Sequence, residues 1–419
     1  MSNIRSINKN NNIIFCKFGS ELTTLMDLVC AILLALSPLL QHYKGLLQNA
    51  GYTAFLICFP WLFIRLIINI RNGLKLTPQF YAVIPLIIYF FYSAFIHNVG
   101  FKKSMYSLFM VGMLVFISLK CVNVNYVIKS ALFICALASI LLIIQYICFY
   151  ILGFHLVSVP ISLFLEESSS WILGAQTGLY NIRGGYNGFY RPSAFFLEPS
   201  HLAIFFTPCL CILLINLPKT KTNVKLAILL TLGILLSTSG LGIIIAVAIW
   251  GLFILFYYNR KSFDSKALIT TSKLVLFFAF VAIFLVLFIS VDTLRNALIR
   301  IFVEKDTSSA IGGRVNQAFD LIKEMRGSSW IIGVTDDASD IIFNLPGFFA
   351  TIYKKGLIGL LLSYIFYSKG LFKSKGPYFW LSFIIIILSF FTAHTHGTFY
   401  MMFFIMFLVE GFSKEYRKL

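Results

Sequence analysis

Two arginines, Arg183 and Arg191, bracket a polar stretch rich in glycine and aromatic residues, Tyr180-Asn-Ile-Arg-Gly-Gly-Tyr-Asn-Gly-Phe-Tyr-Arg191. Each carries a permanently charged planar fork that matches phosphate oxygens. Gly184, Gly185 and Gly188 let the backbone between them fold tightly against a ligand, with Asn187 in their midst. Tyr180, Tyr186, Phe189 and Tyr190 supply flat faces for a sugar ring; they equally suit a surface loop whose tyrosines anchor at a membrane interface.

Downstream, Arg191-Pro-Ser-Ala-Phe-Phe-Leu-Glu-Pro-Ser200 carries Glu198 directly before a proline, the signature of a helix start. A carboxylate at that position is stabilised by the helix dipole. It can also serve as a ligand or general base for an acceptor hydroxyl. His201, one turn on, reads as a partner of that acid.

A third arginine, Arg314, opens a segment in which Val315, Phe319, Ile322 and Met325 share one apolar face, predicting an amphipathic helix at the membrane surface. A cation at a helix start is unfavourable for the dipole, which points to a ligand. Lys354 and Lys355 interrupt the apolar run from Gly347 to Tyr367. Either they face a cavity or partner inside the membrane, or the helix extends outside the bilayer and enters it at Gly356. His394 and His396 read as turn residues.

These groups stand out because the rest of the chain is so apolar. Hydrophobic residues make up 59% of the 419 and charged ones 12%, and the mean hydropathy is +0.88. That excludes an ordinary soluble domain. Apolar runs of about 20 residues recur from end to end, each long enough to cross a bilayer as a helix. They are continuous rather than alternating, so the fold class is an all-α polytopic membrane protein and not a barrel.

The net charge of +18 falls mostly in short loops, where Lys and Arg set orientation and face anionic lipid, so nucleic acid is not expected as a partner. Most of the eight cysteines lie inside apolar blocks without metal-binding spacing and read as core residues. The polar tail 1–21 has no cleavable signal pattern, leaving the first span as the targeting segment.

Apolar length and polar punctuation place spans at 22–41, 52–70, 78–96, 104–121 and 126–153, then 194–217, 223–238, 240–258 and 273–291, and finally 346–368, 377–392 and 397–412. The chain thus divides into helices 1–5 (22–153), a first long loop (154–193), helices 6–9 (194–291), a second long loop (292–345), helices 10–12 (346–412) and a tail (413–419). With about twelve spans, Arg71, Lys219, Lys225, Arg260, Lys369 and Lys414 share one side, which the positive-inside rule makes cytoplasmic, with both long loops periplasmic. Lys102 and Lys103 depart from that pattern. Arg65, inside span two, is expected to snorkel to the cytoplasmic rim.

The order of Arg191–Ser200, the Ser237-Thr-Ser239 turn, Gly313-Arg314 through Gly333, and Asn344 with Gly356 and Gly359 resembles the O-antigen polymerase (Wzy) family, within the O-antigen polymerase/ligase superfamily. Two positions depart from the relatives. Gly240 stands where many members carry Arg, and Phe343 stands where the ligase branch has His.

The resemblance implies a GT-C-like glycosyltransferase of the bacterial inner membrane, working at the periplasmic face without metal or cofactor on undecaprenyl diphosphate-linked oligosaccharide, with a chain-length regulator as a possible partner. It assigns Arg191 and Arg314 to the diphosphate, Arg183 as a further cation, and Glu198 to the acceptor. Alternatives are an O-antigen ligase and a flippase of the same lipid-linked unit. The absence of an internal repeat and the clustering of polar residues outside the spans favour an enzyme over a transporter.

Overall fold

In a computed structural model the described residues are 23–46, 49–74, 76, 78–95, 101–164, 190–257, 271–291, 295, 311–334, 345–373, 377–392 and 398–411. They form helices, and the only extended pairing among them is the bridge between Tyr43 and Phe164. We number the helices α1 (Thr23–Leu40), α2 (Ala50–Arg71), α3 (Pro78–Phe95), α4 (Phe101–Ser118), α5 (Val124–Tyr150), α6 (Pro199–Cys211, continued by a π turn, Ile212–Asn216), α7 (Lys221–Leu236) and α8 (Gly240–Leu252). There follow α9 (Thr271–Ser290), α10 (Ile311–Glu324), α11 (Ser329–Ile332), α12 (Gly347–Lys373), α13 (Pro377–Phe391) and α14 (Thr398–Gly411).

A helix occupies each predicted apolar stretch. Those of α1, α2, α5, α6 with its π turn, and α12 are long and apolar enough to cross a membrane. The chain is therefore an all-α, multi-pass membrane protein. Its most enclosed helices are α6 and α14, where residues such as Phe205, Phe206, Phe403 and Phe404 have no exposed surface. The seven described cysteines are buried with them.

Contacts between helix ends sort into two sets. The Tyr43 hydroxyl, just after α1, donates to Phe195 O before α6 at 2.6 Å. Tyr146 near the end of α5 donates to Leu236 O at the end of α7 at 2.8 Å, and Tyr400 at the start of α14 donates to His201 O at the start of α6 at 3.0 Å. Tyr92, near the end of α3, reaches Ile332 O and Lys355 O at 2.9 and 3.2 Å.

The second set joins the opposite ends. Asn69 in α2 donates to Leu119 O after α4 at 3.0 Å, and Lys369 in α12 reaches Tyr81 O in α3 at 3.4 Å. Up-and-down threading explains this division. It gathers the polar candidates of the first set at one end of the bundle.

Arg65 has a partner on the neighbouring helix. It is half-buried and pairs with the buried Asp27 of α1, its Nε donating to Oδ1 at 2.9 Å, while Trp61 Nε1 donates to the same oxygen at 2.8 Å. Asp27, on the neighbouring helix, supplies the counter-charge, and removing it would leave the half-buried guanidinium uncompensated. Asp27→Ala should cost about 3–5 kcal/mol by stranding Arg65, read as a lowered unfolding temperature in detergent. Asp27→Leu combined with Arg65→Met should recover most of that loss.

The amphipathic segment is also corrected in detail. Its buried face is Ala318, Ile322 and Met325, packed on Leu345, Ala350 and Ile352 of the α12 region. Phe319 is 49% exposed. The stripe therefore covers protein, with Phe319 at its margin against Phe349.

Candidate functional site

Glu198 is the residue preceding α6, extended at φ −140 and ψ 156, with Pro199 at the first helical position. Its carboxylate does not cap the helix; it accepts from the Ser200 hydroxyl at 2.7 Å. His201 is buried, and its ring lies flat on His42 from the α1–α2 link, 4.5 Å between centroids and 8° between planes. Its carbonyl receives Tyr400. The start of α6 is thus locked by two elements distant in sequence, α1 and α14.

Arg191 donates through Nε to Thr238 Oγ1 at 3.2 Å. Thr238 belongs to the Ser237-Thr-Ser239 turn between α7 and α8, all three residues of which are buried. The turn and the arginine, widely separated in sequence, therefore form one unit. A guanidinium fixed by its Nε has its orientation set in advance, which suits recognition of an oxyanion.

Backbone strain concentrates here. Among the described residues only Lys120, Ala194 and Thr238 take positive φ without being glycine, and Ala194 and Thr238, both at +51°, flank this contact. Such conformations cost about 1–2 kcal/mol each and persist only where the surroundings hold them, a pattern that gathers at functional sites.

Tyr190 is corrected. It is 1% exposed, stacked on Phe149 at 4.2 Å and 11°, with Tyr146 edge-on. Burial pushes its phenol up to about 12, so it stays neutral at working pH. Packing against the end of α5 uses the aromatic face that was expected to carry sugar.

Lys355 is buried and Lys354 half-buried. They immediately precede a kink in α12 at Gly356, where φ is 63 and ψ −171. The first part of α12 is thus a separate short helix, and Gly333 after α11 packs directly against its last turn. Arg314 lies in the first turn of α10, with its side chain outside the described residues. Arg183, Asn187, His394 and His396 also lie outside them.

No protein-family model and no curated protein matches this chain.

A groove of about 500 Å³ opens elsewhere, between the end of α1 and the start of α2, lined by Leu33, Leu40, Ala50, Ala54 and Ile57 with Lys44 at its mouth. Its walls are apolar, so we place the candidate site at Arg191 and Glu198 instead. Sequence reading missed three residues that build that site: His42, Gln145 and Tyr146. Gln145 had a usable signal, as an amide within the apolar second half of a long helix.

Proposed function

We propose that this protein is an O-antigen polymerase: a GT-C-like glycosyltransferase of about twelve spans in the bacterial inner membrane, joining undecaprenyl diphosphate-linked oligosaccharide units at the periplasmic face. The observation that carries this reading is the fixed Arg191–Thr238 contact, with the Glu198 carboxylate on the same short segment.

In the reaction, a hydroxyl of one lipid-linked unit attacks the anomeric carbon of the growing glycan. The new glycosidic C–O bond forms as the bond to diphosphate breaks, and undecaprenyl diphosphate leaves with the electron pair. Negative charge grows on the leaving diphosphate, where oriented cations lower the barrier. Arg191 takes that role together with Arg314, with Arg183, Lys354 and Lys355 as further cations. Glu198 accepts the proton of the attacking hydroxyl. Where many members of the polymerase family carry Arg, this chain has Gly240 and brings Arg191 to the same turn.

Orientation supports the periplasmic placement. Arg71, Lys221 and Lys369 sit at the helix ends opposite to those that carry Arg191 and Glu198, the asymmetry expected if the basic end is cytoplasmic.

Glu198→Gln is expected to lower the polymerisation rate about 10²–10⁴-fold, the range for loss of a general base, with donor binding retained. A single-turnover assay on lipid-linked units would show it, and an unchanged rate would remove Glu198 from the mechanism. The function itself is tested by a lipopolysaccharide gel from cells deleted for the gene, complemented with wild type or with Arg314→Ala. Core bearing one repeat unit, with the ladder restored only by wild type, supports polymerisation. Bare core points to the ligase or flippase, and an unchanged ladder overturns the reading.

A further inference from the structure

We infer that Gln145 and Tyr146, neighbours near the end of α5, are positioning residues that set the Arg191–Thr238 contact by holding its two halves separately. The inference rests on the reading in which Arg191 binds the diphosphate.

Gln145 is 1% exposed and its amide is fully engaged. Its Nε2 donates to Ser158 Oγ at 2.6 Å and to Leu156 O at 3.2 Å. Its Oε1 accepts from Ala194 N at 3.1 Å, and its main-chain carbonyl receives the Tyr190 hydroxyl at 3.4 Å. Arg191 lies between these two tethers, Tyr190 and Ala194. Tyr146 instead donates to Leu236 O at 2.8 Å, two residues before Thr238.

Consecutive residues on a helix point about 100° apart, so one turn of α5 reaches the loop with one side chain and the α7–α8 turn with the next. Each tether lies beside one of the two left-handed residues, Ala194 and Thr238. A rigid helix thereby fixes both strained backbones, and the guanidinium between them has one resting place. A purely structural amide would not need to contact the one strained alanine of the loop, and a purely structural tyrosine would not need to pin the turn that Arg191 touches.

The test measures affinity for undecaprenyl diphosphate, in nanodiscs, of wild type, Arg191→Ala, Gln145→Leu, Tyr146→Phe and the pair Gln145→Leu with Arg191→Ala. Unfolding temperature is measured in parallel. Gln145→Leu and Tyr146→Phe are each expected to weaken binding by about tenfold, the equivalent of the one hydrogen bond through which each holds its half of the contact, to Ala194 N and to Leu236 O. Added to Arg191→Ala, Gln145→Leu should weaken binding no further, because both act through the same contact.

Ala194→Gly should restore binding to Gln145→Leu, since glycine takes positive φ without the tether. Should Gln145→Leu fail to fold, Tyr146→Phe removes only a hydroxyl and carries the test alone. Wild-type affinity in Tyr146→Phe and Gln145→Leu beside a weakened Arg191→Ala, or full additivity in the pair, would overturn the positioning role. Wild-type affinity in Arg191→Ala would instead overturn the reading of Arg191 on which it rests.

Discussion

Arg191→Ala leaves no polymer: cells carrying it are expected to show core with a single repeat unit, at wild-type levels of the protein in the membrane. Removing one preorganised group that stabilises transition-state charge costs about 10²–10³ in rate, enough to erase a ladder built by many successive transfers. Arg191→Lys keeps the charge but loses the fork, and with it the Nε bond to Thr238. It should fall between the two, with short chains predominating. A glycan ladder read beside an immunoblot of the protein decides this. A normal ladder from Arg191→Ala would mean that the strained loop serves packing alone.

Gly356→Ala is expected to disrupt folding. Its φ and ψ, 63 and −171, belong to a region essentially closed to other residues. A Cβ there would lie 2.2 Å from Ile331 O and 2.6 Å from Gly333 N. Gly333 makes the reciprocal approach, with φ +86 and a Cβ position 2.3 Å from Lys354 O. Two backbones meet with no side chain between them, so nothing can move aside. Strain and overpacking together should cost about 3 kcal/mol or more, seen as loss of monodisperse protein after extraction. Gly112→Ala, whose Cβ would meet Phe59 at an ordinary 3.7 Å, should behave as wild type in the same preparation.

The helices were legible because lipid demands a long apolar run, and that demand leaves its mark on the sequence locally. The helix start at Glu198-Pro199 was legible for a similar reason, since proline at a first helical position acts within its own turn. The Ser237-Thr-Ser239 turn was found as a boundary. That its Thr238 receives Arg191 could not be read, because the loop and the turn are far apart in sequence and meet only once α5, α6, α7 and α8 have packed together.

Tyr190 misled for a physical reason: an aromatic residue in a polar stretch serves a sugar or a helix end equally well, and only burial distinguishes the two. Phe319 misled because a stripe drawn from large residues overlooks Ala318, whose small side chain lets α10 approach α12 closely. Arg65 was weighed as a lone charge because Asp27 lies on a different helix.

The pair of Asp27 and Arg65 also bears on how the protein is made. A lone arginine well inside a hydrophobic helix costs about 2.5–3.5 kcal/mol to insert, and α2 would meet that cost before any later helix existed to help. Its counter-ion is already present on α1, the helix that precedes it in the chain. Charge neutralisation between them favours delivery of the two helices to lipid as one antiparallel hairpin. Every later helix then has a defined side from which to begin.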